Sequence, residues 1–132
     1  MSTPPSGEAL LAEIRRQSAE RRADPRRFVC EYLQLHWAEE GEEAARRDWT
    51  EQVESYPWYA DDVLACLDAL IADPPEDLIQ MLWRCGSIAL GEQADGTYAT
   101  PSLEEHVSWL RELRREFGEE YEAATGRPYR SS

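Results

Sequence analysis

The sequence predicts a mainly α fold: one compact domain of five or six helices with a small β-hairpin before the last helix. Three observations carry this. Apolar residues recur at three- and four-residue spacing along most of the chain, cap residues and prolines punctuate those stretches, and one short region switches to an alternating period. A length of 132 residues suits one domain, since domains usually hold ~100–200 residues. The hydrophobic fraction of 42%, with 5 Trp and 6 Tyr, supplies a core, and the 31% of charged residues are mixed in sign, which argues against disorder. We divide the chain into a flexible lead-in (1–7), a helical domain (8–125) and a tail (126–132).

The first helix is expected from Glu8 to Ala23, with Leu10, Leu11 and Ile14 on one face. The doublets Arg15-Arg16, Arg21-Arg22 and Arg26-Arg27 are open to two readings, a solvated helix face or a basic segment docked on the chain's own acidic middle. Asp24-Pro25, Asp73-Pro74 and Thr100-Pro101 each pair a capping residue with a proline at the first helical position. The cap accepts orphan backbone N–H groups, and proline gives up an N–H that has no partner there. The helix from Pro25 to Glu39 carries the stripe Val29, Tyr32, Leu33, His36 and Trp37, and Gly41 breaks it. A shorter helix, Glu42 to Glu54, offers Ala45, Trp49 and Val53. Tyr56-Pro57 opens a strong helix to Ala72, in which Tyr59, Val63, Leu67 and Leu70 fall within an arc of about 80° while Asp61 and Asp68 face the other way. Leu78, Ile79 and Leu82 continue the helical pattern to Gly86. Ser87–Leu90 and Thr97–Thr100, around Asp95-Gly96, read as two short strands. Ser102 and Glu105 have the capping-box spacing that opens the last helix, with Leu103, Val107, Leu110, Phe117 and Tyr121 on its inner face, and Gly126 ends it.

The net charge of −13 is unevenly placed. Residues 1–30 hold 6 Arg against 4 acids, residues 31–110 hold 3 Arg against 18 acids, and residues 111–132 hold 5 of each. The middle segment therefore carries the whole imbalance. Phosphate backbones and anionic membranes attract clustered basic groups, so neither nucleic acid nor membrane is expected as a direct partner. A basic protein, steered in by the acidic field, fits. The N-terminus has no apolar run of the signal-peptide kind, and nothing approaches a membrane span, which points to the cytoplasm. The odd count of 3 Cys, with no Cys-x-x-Cys spacing, predicts that Cys30, Cys66 and Cys85 are reduced structural thiols. An intramolecular disulfide would count against that reading and against the compartment.

No catalytic, metal or cofactor site is expected. There is no His-Glu-x-x-His or Glu-x-x-His pattern, His36 and His106 lie on apolar faces, and no Gly-rich phosphate loop or Gly-x-Ser-x-Gly elbow occurs. The carboxylates lie in solvated runs, and no cleft is evident that would split their pKa values for acid–base work. What remains is a surface that mixes aromatics with acids. It comprises Glu39, Glu40, Glu42 and Glu43 beside Trp37; Trp58 with Asp61 and Asp62; Asp68 two turns further along the Asp61 face; and Asp73, Glu76 and Asp77 at the next junction. Aromatic side chains make desolvated anchors and carboxylates pair with Arg or Lys of a partner.

The run Tyr56-Pro57-Trp58-Tyr59, then Leu67, Ile71-Ala72-Asp73-Pro74-Pro75-Glu76-Asp77-Leu78-Ile79, Gly86-Ser87-Ile88-Ala89-Leu90, Tyr98 and Glu105-His106-Val107-Ser108-Trp109-Leu110, resembles small immunity proteins of contact-dependent growth inhibition and related polymorphic toxin systems. The resemblance covers roughly residues 56–122 and is a pattern of helix starts and hydrophobics. It implies a cytoplasmic protein, not an enzyme, that binds one cognate toxin domain, often a basic nuclease, and blocks it. It carries no motif that assigns contact residues. The alternative from charge alone is a nucleic-acid mimic or anti-regulator that occupies a DNA- or RNA-binding protein.

Overall fold

The computed structural model describes residues 7–88, 90 and 102–126. Six α-helices take up nearly all of them, and no strand occurs among the described residues. These are α1 (Gly7–Ala23), α2 (Pro25–Leu33), α3 (Glu42–Ser55), α4 (Pro57–Ala72), α5 (Leu78–Gly86) and α6 (Leu103–Thr125), and a π-helical turn, Gln34–Ala38, continues α2.

The helix starts follow local chemistry. Asp24 accepts the backbone N–H of Arg27, and Pro25 takes the first helical position of α2. Ser102 accepts the N–H of Glu105 and opens α6. Pro57 opens α4 without a side-chain cap. Asp73-Pro74 does not open a helix as expected. Pro75 disfavours helical geometry in the residue before it, so α5 begins only at Leu78, with Asp77 in the cap position. Thr100-Pro101 lies outside the described residues. So does most of the expected hairpin, and its first residue is corrected: Ser87 adopts the left-handed conformation (φ 55°) that closes α5. The preceding Gly86 is set by close packing, because a Cβ there would lie 2.9 Å from Ile88 Cδ1 and 3.3 Å from Leu33 Cβ.

α4 is the central element, packed by α2, α3, α6 and α1, while α5 lies on α2 and α6. The stripe read in the Pro25–Glu39 segment points inward: Val29, Tyr32, Leu33 and Trp37 are buried and His36 is half-buried. Tyr32 is the hub of an aromatic core, with ring centroids 6.4 Å from each of Trp49, Tyr59 and Phe117 and 4.7 Å from His36. Trp49 stacks on Phe117 at 4.2 Å and donates its indole N–H to the Phe117 carbonyl at 3.0 Å, so its polar atom is satisfied inside the core. Truncating Trp49 to Ala would cost about 3–5 kcal/mol.

Two expectations change here. α1 buries no residue at all, and Leu10 and Leu11 are each 53% exposed. Cys30 and Cys85 form a disulfide between α2 and α5, with Cα atoms 5.1 Å apart, so the expectation of three reduced thiols fails for this pair, and the disulfide counts against the cytoplasmic expectation that went with it. Cys66 alone is a free, buried thiol. The spacing argument missed the pair because helix packing brings 55 residues of chain into a loop, which no local motif records. Closing a loop of that length restricts the unfolded chain by about 4 kcal/mol in the chain-entropy account. No described helix is long and apolar enough to cross a membrane.

Candidate interaction surface

The acids of the middle segment fall into two environments. Some are neutralised within the molecule. Asp62 is fully buried on the α1 side of α4, where it accepts from Ser18 Oγ at 2.6 Å, Arg22 Nε at 2.7 Å and Arg21 at 2.8 Å. Arg21 also lies over the Phe28 and Tyr59 rings, 5.8 and 5.2 Å from their centroids, which adds cation–π attraction. Arg114 of α6 binds Asp68 at 2.8 Å, and Arg26 binds Asp77, whose carboxyl it holds below the usual range. The docked reading of the Arg21-Arg22 and Arg26-Arg27 doublets therefore holds for Arg21, Arg22 and Arg26. Asp62 is removed from the expected contact surface because it is buried. Asp68 is not the freely solvated residue its helical face implied.

The others stay at the surface. Glu39, Glu40, Glu42 and Glu43 are all exposed around Gly41, whose φ of 89° turns the chain from the π-helical turn into α3. A side chain is disfavoured in that conformation, so glycine is what lets the two acidic pairs flank one corner. Arg46 reaches back to Glu42 at 3.1 Å and also binds Glu116, and His36 lies 3.6 Å from Glu40. Glu39 and Glu43 have no ion pair among the described residues. Glu42 and Glu43 sit in the first turn of α3, where the helix dipole favours negative charge. Asp73 and Glu76 are exposed at the α4–α5 junction, and Asp61 is partly buried on α4.

At the α3–α4 corner, Tyr56 and Trp58 are 56% and 40% exposed and meet edge to face with centroids 6.0 Å apart. Glu54 precedes them on α3. α3 is 14 residues long, so this corner lies about 20 Å from the Glu39–Glu43 corner. Residues 114–116 of α6 reach both Arg46 of α3 and Asp68 of α4. The eleven-residue surface expected from sequence is thus not one patch: Asp62 is buried, and Asp73, Glu76 and Asp77 lie beside Asp24–Arg26 at the start of α2, whereas Glu39–Glu43 follow the π-helical turn at its other end.

Sequence reasoning missed Tyr56 as a site residue, and also Trp83 and Leu35, which are 59% and 55% exposed. An exposed Trp at a position off the apolar stripe was the available signal. The two histidines behave as core-edge residues. His106 is buried and its Nδ1 donates to the Ser102 carbonyl at 2.8 Å, and His36 Nε2 lies 3.1 Å from the Gln52 amide. No group of three or more His, Cys, Asp or Glu side chains among the described residues is arranged to hold a metal ion. Compared with models of known protein families, with curated proteins and with solved structures, the chain matches none.

Proposed function

We propose that this chain is an immunity protein that binds and neutralises a cognate toxin domain, a basic nuclease in type, through its acidic surface. The observation that carries the reading is the exposed carboxylate corner around Gly41. Asp62, Asp68 and Asp77 are paired within the molecule, whereas Glu39, Glu40, Glu42 and Glu43 place four exposed carboxylates within five residues. A basic active-site cleft, built to hold a phosphate backbone, is the complementary surface. The exposed Tyr56–Trp58 pair gives a partner an aromatic anchor, the residue type that dominates binding energy at interfaces. The resemblance of residues 56–122 to immunity proteins points the same way.

The test is direct. The genes flanking this chain's own are searched for a secreted nuclease toxin, and the activity of its purified toxin domain is titrated with the protein. Stoichiometric inhibition with a nanomolar Kd is the expected result. Full nuclease activity at saturating protein, with no complex on gel filtration, would reject the reading.

A further inference from the structure

We propose that the cleft beside the Cys30–Cys85 disulfide is a thiol-exchange site for a small zwitterionic peptide thiol of the glutathione class. The disulfide lines a surface cleft of about 490 Å³, within the ~300–1,000 Å³ of small-ligand sites. Its two sulfurs are not equivalent. Cys85 is 5% exposed, whereas Cys30 is only partly buried, so Cys30 is the more open half of the disulfide to an incoming thiolate. Arg26, Arg27 and Arg84 line the same cleft with Asp24, Glu31 and Asp77; Arg27 pairs with Glu31 at 3.2 Å and Arg26 with Asp77, and Arg84 has no ion pair among the described residues. Guanidiniums beside carboxylates suit a ligand that carries carboxylates and an ammonium group together.

The step balances. The thiolate attacks Cys30 Sγ, a new S–S bond joins ligand to Cys30, and the Cys30–Cys85 bond breaks with its electron pair leaving on Cys85. That thiolate takes a proton from water. A second thiol then releases Cys30 as a free thiol and carries away the oxidised dimer. Exchange cuts the covalent tie between α2 and α5, and the buried Cys66 takes no part.

The experiment uses the intact protein, purified without reductant, held in a mixture of reduced and oxidised glutathione, acid-quenched and mapped by peptide mass spectrometry. The expected result is one glutathione on Cys30, Cys85 as the free thiol, and Cys66 unmodified. Adduct on Cys85 instead, exchange only after denaturation, or three free thiols at the outset would each overturn the proposal. An Arg27→Ala/Arg84→Ala variant should exchange about tenfold more slowly with glutathione, the scale of one hydrogen bond to a charged group, and at an unchanged rate with neutral 2-mercaptoethanol. Equal slowing with both thiols, or none with either, would also overturn it.

Discussion

Asp62 shows how a single carboxylate can serve the fold instead of the surface. It is fully buried, and two guanidiniums and a hydroxyl satisfy it. Removing one partner of a buried pair costs ~3–5 kcal/mol when the charges left behind cannot reach water. Arg21 and Arg22 are partly exposed and can rehydrate, so Asp62→Ala should destabilise by about 3 kcal/mol in urea unfolding. A loss no larger than that of Asp73→Ala would refute this account of the pair. The helical wheel held a signal for Asp62 that its neighbour obscured. At 100° per residue it lies about 40° from Cys66, at the edge of the buried arc, whereas Asp61 lies well outside it. The buried Cys66 thiol leads to a second expectation. Burial pushes its pKa up to about 12, and burial likewise raises the Tyr32 and Tyr59 phenols. These groups stay protonated in the fold after the unfolded chain has lost those protons. The unfolded state then binds fewer protons, so stability falls as pH rises above about 9. Urea midpoints at pH 8 and pH 10.5 check this, and Cys66→Ala should flatten part of the slope. An unchanged midpoint would contradict it.

α1 and α4 differ in what holds them. α4 buries Ala60, Val63, Leu64, Leu67 and Leu70 among neighbours on several sides. α1 buries nothing and is fixed near its C-terminal end by Ser18, Arg21 and Arg22. An isolated helix of this length is marginal in water, so the first turns of α1 have little to protect them. Hydrogen exchange should show amides of residues 10–15 near the unprotected limit while those of Val63–Leu70 exchange slowest. Comparable protection in the two would mean that the first turns of α1, like its C-terminal end, are packed. The strong helices were legible in sequence because their apolar period and caps agree, as at Asp24, Pro57 and Ser102. The α5 start was not, because Asp-Pro-Pro presents a cap signal and a breaker together and the second proline wins. The role of α1 was half legible: its period gave the helix, but nothing in Leu10, Leu11 and Ile14 said whether a neighbour would cover them.

At the scale of the whole molecule, folding redistributes a charge that sequence could only total. The N-terminal Arg doublets and Arg114 neutralise Asp62, Asp77 and Asp68, and the remaining field comes from corners such as Glu39–Glu43. The surface was legible as a stretch of chain but not as a shape, because pairing partners lie 41 and 46 residues away for Asp62 and Asp68. The disulfide was invisible for the same reason. The central claim is that the Gly41 corner steers a basic partner. It is tested most directly by the association rate with the cognate toxin domain at low salt, comparing two charge-matched double variants. Glu39→Lys/Glu43→Lys reverses exposed carboxylates without ion pairs among the described residues. Glu119→Lys/Glu122→Lys reverses exposed carboxylates on α6, in the charge-balanced C-terminal segment. Steering contributes ~10–1,000-fold to on-rates, so the first variant should associate about tenfold more slowly and the second within about twofold of the unaltered protein. Equal slowing by both would mean that only net charge matters, and no slowing by the first would contradict the assignment of the corner.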